Sequence, residues 1–117
     1  MVVNQGDVFW LDLDEPAGSE PGYRRPFVVI QNDAFNKSKI STVVACAVTS
    51  NMKLATAPGN VQLNKGEANL PKASVVNISQ VFTVDKGEVK EKIGRLSKKR
   101  IEEIVAGIEY LIRPRIL

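Results

Sequence analysis

Three short polar stretches carry the side chains most suited to chemistry. The first is Gly18-Ser19-Glu20-Pro21-Gly22-Tyr23-Arg24-Arg25-Pro26, which runs directly into the apolar Phe27-Val28-Val29-Ile30. Pro26 restricts the residue before it to extended backbone, so Arg25 is held at the mouth of a strand. A guanidinium held there offers a planar fork of donors matched to phosphate oxygens and stays charged at any working pH. The plainer alternative is a surface arginine paired with Glu20. The second stretch is Thr49-Ser50-Asn51, where an apolar run ends in two hydroxyls and an amide. Such groups can donate to a phosphate or a base edge, and equally can bond their own backbone in a turn. The third is Asn77-Ile78-Ser79-Gln80, lying between Val75-Val76 and Val81-Phe82. Gln80 or Asn77 could read a base edge; a β-bulge or a hairpin turn is the alternative.

What is missing narrows the chemistry further. The 117 residues contain no histidine and one cysteine, Cys46. That removes the imidazole acid and base of most ribonucleases, the Ser-His and Cys-His nucleophile pairs, and a structural zinc site. An internal disulfide is impossible, and a reducing cytoplasm is the expected compartment. Cys46 itself sits inside Thr42-Val43-Val44-Ala45-Cys46-Ala47-Val48 and reads as a small buried hydrophobe. Phe9 and Trp10 read as core or dimer contacts. No phosphate-binding glycine loop is present, and nothing marks Asp12, Asp14 and Glu15 as a metal cage. The formal charge of +3 permits an anionic partner without requiring one. No basic n-region precedes an apolar stretch at the N-terminus, and no apolar run is long enough to span a bilayer, so no membrane is expected.

These residues need a scaffold, and the pattern supplies one. With 44% hydrophobic and 25% charged residues, the chain is expected to fold as a single domain over 1–117. Strands are expected at Asp7–Leu13, Phe27–Gln31, Thr42–Val48, Asn60–Leu63, Ser74–Val76, Val81–Val84 and Val89–Ile93. Gly, Pro and Asn punctuate the gaps, including Asn32–Ser41. Many short strands separated by turns point to a small barrel or sandwich. Near the C-terminus the period changes. Ser97 can cap a helix on which Ile101, Ile104, Val105, Ile108, Leu111 and Ile112 share one face, and Pro114 ends it. That stripe is expected to pack on the sheet.

The order of segments resembles one family over essentially the whole chain. Gly6-Asp7-Val8-Phe9-Trp10 is followed by the Gly18 to Pro26 loop, Phe27-Val28-Val29-Ile30-Gln31, Val43 to Asn51, Ile78-Ser79-Gln80-Val81-Phe82, and an amphipathic helix. This is similar to the MazF/PemK toxin endoribonucleases. The resemblance implies a mainly β fold, an SH3-like β-barrel of the MazF/PemK/CcdB type with a C-terminal amphipathic helix. It implies a cytoplasmic homodimer that cuts single-stranded RNA without metal or cofactor and is inhibited by a cognate MazE-like antitoxin. By position it implies catalytic roles for Arg25 and Thr49, and RNA contacts from Ser19, Glu20, Arg24, Ser50, Asn51 and Gln80. Two departures stand out. An acidic residue is common before the glutamine in the family, and here it is Ser79; Arg24 adds a second cation beside Arg25. The competing expectation on this fold is a non-catalytic, CcdB-like toxin that binds DNA gyrase, which would have no need of Arg25 and Thr49.

Overall fold

A computed structural model describes residues 2–13 and 23–115. Six strands form one antiparallel sheet in the order β4-β5-β3-β2-β1-β6. They are β1 Asp7–Leu13, β2 Tyr23–Val29, β3 Thr42–Thr49, β4 Val61–Leu63, β5 Ser74–Asp85 and β6 Glu91–Arg95. A four-residue helix, α1 (Asp33–Asn36), follows β2, and α2 (Lys98–Ile112) is the last element. Ser97 caps α2 as expected, its Oγ accepting from the Arg100 N–H.

The sheet is buried on both faces, which is why β2 and β3 read as almost continuous apolar runs. One face holds Val8, Val28, Cys46, Val48, Val76 and Ile78, closed by Leu96 and Ile104 from the α2 side. The other holds Phe9, Phe27, Val29, Val43, Ala45 and Val84. On that second face the Phe27 ring meets Phe9 at 5.9 Å and Phe82 edge-on at 5.8 Å. The sheet curls into a half-barrel: the turn Glu67–Asn69 after β4 comes back against β6, where Asn69 Nδ2 donates to the Ile93 carbonyl. Gly94 permits this closure, because a Cβ there would lie 2.5 Å from the Ala68 carbonyl oxygen. Arg100 on α2 locks the same turn through a two-pronged pair with Glu67, both bonds 2.9 Å.

Three expectations change. Ser74–Val76 and Val81–Val84 are not separate strands but halves of one twelve-residue strand, β5. Its partner register on β3 jumps from Cys46↔Val81 to Ala47↔Asn77, so Ile78, Ser79 and Gln80 bulge out of the ladder. The last strand is displaced toward the C-terminus, beginning at Glu91. Strand β2 begins before Pro26, since Tyr23 to Pro26 pair with Leu13 to Trp10 of β1.

Candidate active site

Pro26 opens the sheet where the polar side chains gather. The Ile30 N–H donates to the Val44 carbonyl, so even-numbered residues of β2 turn their N–H groups toward β3. Two residues earlier comes Val28, and two before that Pro26, which has no N–H to give. The β2–β3 register runs Val29↔Ala45, Val28↔Cys46, Phe27↔Ala47 and stops there. Continued by one same-face pair, it would set Arg25 opposite Thr49. Instead the two strands part, and a cleft of about 340 Å³ opens between them. Arg24, Arg25, Thr49 and Ser50 line it, with Trp10 on one wall and Pro71, Lys72 and Ser74 on another.

Each group in the cleft is held differently. The Thr49 Oγ1 accepts the Asn51 N–H at 3.1 Å, which uses a lone pair and leaves the hydroxyl proton to donate. Asn51 lines neither this cleft nor its neighbour. Its Oδ1 accepts from the Lys53 N–H and caps the short helix Met52–Thr56. Arg24 is drawn to acids: its Nε lies 3.0 Å from Asp12, its Nη2 bonds Glu91, and its guanidinium rides 5.1 Å over the Trp10 ring. The second cation beside Arg25 is thus largely neutralised and ties β2 to β1 and β6. Lys72 has no such acidic partner among the described residues. Of the two aromatics read as core or dimer contacts, Phe9 is fully buried and Trp10 lines the cleft.

Arg25 also borders a second recess of about 480 Å³, lined by Leu11, Pro26, Phe27, Ala47, Gln80, Val81 and Phe82. Arg25 thus borders both spaces, one shared with Thr49 and the other with Gln80. Ser19 and Glu20 lie outside the described residues. Cys46 is buried, its Sγ donates to the Asn77 carbonyl, and burial pushes the thiol up to about 11, which leaves it inert as a nucleophile. Pro71 and Lys72 are missed by sequence reasoning, which reads Ser74 only as the start of a strand.

Residues 4–112 match the family described as PemK-like, MazF-like toxin of type II toxin-antitoxin system. The chain belongs to this family. It is 38% identical over 112 residues to "Endoribonuclease MazF6" of Mycobacterium tuberculosis, covering 96% of this chain and 98% of that one. It is 39% identical over 108 residues to "Endoribonuclease MazF" of Staphylococcus saprophyticus, covering 92% and 89%. The MazE-MazF crystal structure from Deinococcus radiodurans superposes with a TM-score of 0.74 at 25% identity, covering 96% of each chain. A mycobacterial endoribonuclease in complex with its cognate antitoxin shares the fold, with a TM-score of 0.72 at 20% identity, covering 99% of this chain and 98% of that one. The chain thus has the expected mainly β, MazF-like architecture as a six-stranded half-barrel with a C-terminal helix. Among the described residues, no helix is long and apolar enough to cross a membrane.

Proposed function

We propose that this chain is a MazF-type endoribonuclease toxin that cuts single-stranded RNA at short sequences without a metal ion. The observation that carries the reading is the gap beside Pro26, which brings Arg25 and Thr49 to one cleft from two strands. RNA brings its own nucleophile. The 2′-oxygen attacks the adjacent phosphorus, the bond from phosphorus to the 5′-oxygen breaks, and the proton lost from the 2′-hydroxyl is balanced by one gained at the 5′-oxygen. The products are a 2′,3′-cyclic phosphate and a 5′-hydroxyl. Arg25 would stabilise the charge that builds on the phosphoryl oxygens, and the Thr49 hydroxyl would donate to the same oxygens. Asn51 sets that hydroxyl's direction by donating its N–H to the lone pair. Ser50 and Gln80, with Ser19 and Glu20, would hold splayed bases on either side. Arg24 would add to the field of the cleft through what charge its two acids leave.

A homodimer and inhibition by a cognate antitoxin complete the proposal, in keeping with the family and with the complexes its members form. Sizing by light scattering at micromolar concentration should return twice the chain mass. The gyrase-binding alternative requires no cleft of this kind, and the similar chains named above are endoribonucleases. The test is direct: incubate purified protein with end-labelled RNA and with DNA of the same sequence, and map the ends. Fixed cut sites with cyclic phosphate ends on RNA, and intact DNA, are expected. Uncut RNA, or DNA cut at the same positions, would overturn the proposal.

A further inference from the structure

The bulge in β5 holds an amide pair whose polarity bears on substrate choice. The Asn77 backbone is pinned: it pairs with Ala47, and its carbonyl accepts from Cys46 Sγ. Ile78 is buried under α2, and its N–H donates to Asn60 Oδ1 at 3.0 Å. With the base of the bulge fixed, Ser79 and Gln80 are pushed out of the ladder. Ser79 Oγ then donates to Asn77 Oδ1 at 2.9 Å, and Asn77 Nδ2 donates to Gln80 Oε1 at 3.1 Å. The carbonyl end of the Gln80 side chain is therefore engaged, and its two N–H groups are the end left to a ligand.

Gln80 also lines the recess beside Arg25, whose other walls include Leu11, Phe27, Val81 and Phe82. An apolar slot with one oriented amide and a guanidinium at its rim suits a nucleobase whose phosphate lies on Arg25. We infer that Asn77 is a positioning residue that presents Gln80 as a donor, so that the base held beside Arg25 carries a keto group, as uracil and guanine do. Cytosine and adenine carry an amino group at the corresponding place, and donor would face donor. This deepens the nuclease reading and rests on it. A second copy of the chain is the other occupant an apolar recess could take; the oriented amide and the shared Arg25 favour a base.

The test maps cleavage sites in a randomised RNA pool with wild type, Gln80→Glu and Asn77→Asp. Wild-type sites should share uracil or guanine at one fixed position. Gln80→Glu offers only acceptors, so that position should change to cytosine or adenine, with relative rates moving on the order of tenfold or more. Asn77→Asp also accepts only. It should turn the Gln80 amide around and move the same position in the same direction while Gln80 itself is unchanged. A wild-type preference for cytosine or adenine at the position Gln80→Glu alters would overturn the polarity. An effect of Gln80→Glu without one of Asn77→Asp would overturn the role of Asn77. An unchanged motif in Gln80→Glu, with a weaker dimer by sedimentation, would make the recess a contact between copies instead. A wild type that cuts no RNA removes the nuclease reading, and this inference with it.

Discussion

At the scale of single residues, Arg25 and Thr49 differ in what they give up when removed. Arg25 is exposed and its strand is held to β1 by backbone pairing on both sides of it, so Arg25→Ala should leave the fold intact. Cleavage should fall to background, since Arg24, the neighbouring arginine of the cleft, is held by Asp12 and Glu91. Wild-type thermal stability with no detectable cutting is the expected result; cutting at near wild-type rate would reassign the site. Thr49→Ala removes one hydroxyl donor, and the loss expected is on the order of 10²-fold in kcat with little change in KM. Thr49→Ser keeps the hydroxyl and should recover most of the rate; failure to do so would show that Thr49 acts through packing. The sequence made Arg25 conspicuous because proline follows it. It could not show that Arg24, one residue earlier, is engaged by Asp12 and Glu91, because Glu91 arrives from the far end of the chain.

At the scale of elements, local signals were legible and long-range register was not. The Ser97 cap, the apolar stripe of α2 and the stop at Pro114 depend on residues a few positions apart, and α2 falls where they place it. Strand β1 likewise falls where its mix of aromatic and aliphatic residues places it, from Asp7 to Leu13. Strand β5 looked like two strands because polar Asn77, Ser79 and Gln80 interrupt the apolar run, and a bulge and a turn share that composition. What separates them is pairing to β3 on both sides of the interruption, which is tertiary information. The meeting of Arg25 with Thr49 is of the same kind. It depends on the β2–β3 register and on Pro26, whose missing N–H ends that ladder. Pro26→Ala tests this. The restored N–H would gain a hydrogen bond worth about 0.5–1.5 kcal/mol, while the loss of proline's restriction on the unfolded chain costs about 0.4–1 kcal/mol. Stability by urea unfolding should therefore stay within about 1 kcal/mol of wild type. The cleft should narrow, and cleavage should drop by roughly tenfold or more through misplacement of Arg25 against Thr49. Full activity in Pro26→Ala would show that the gap has another cause.

At the scale of the whole molecule, the half-barrel is held closed by a charged clasp that responds to acid. The Arg100 hydrogen bonds, and then the Asn64 N–H, hold the Glu67 carboxyl below its ordinary value of 4.5. A carboxylate lowered by folding stabilises the fold fully above its unfolded value and loses that contribution as pH falls through the folded one. The stability difference between wild type and Glu67→Gln, measured by urea unfolding, should be largest near neutrality and shrink below about pH 4.5. Asp33 is also held low, chiefly by the Gln5 N–H, and is present in both proteins, so it cancels in the difference. A difference that stays constant from pH 7 to pH 3 would show that the clasp contributes nothing through its charge.

The chemistry of the whole chain is constrained by the side chains it lacks, and this gives the pH and metal dependence of cleavage. With no histidine, the chain has no imidazole pair to supply a bell centred near pH 6.5. A guanidinium keeps its charge at any working pH, so in the proposed mechanism the stabilisation of phosphoryl charge would be constant across that range. Cys46 is buried with its thiol pushed up to about 11, so it does not enter that range either. The rate should then climb gradually with pH as the 2′-hydroxyl becomes easier to deprotonate, until the fold fails. It should be unchanged in excess EDTA, because in the proposed reaction the nucleophile is part of the substrate and would need no metal to generate it. A bell between pH 5 and 8 would assign proton transfer to a carboxylate, with Glu20 the first to replace by glutamine, and would confine Arg25 to stabilising charge. Activity lost in EDTA and restored by magnesium would sink the metal-free mechanism while leaving the RNA-cutting assignment in place.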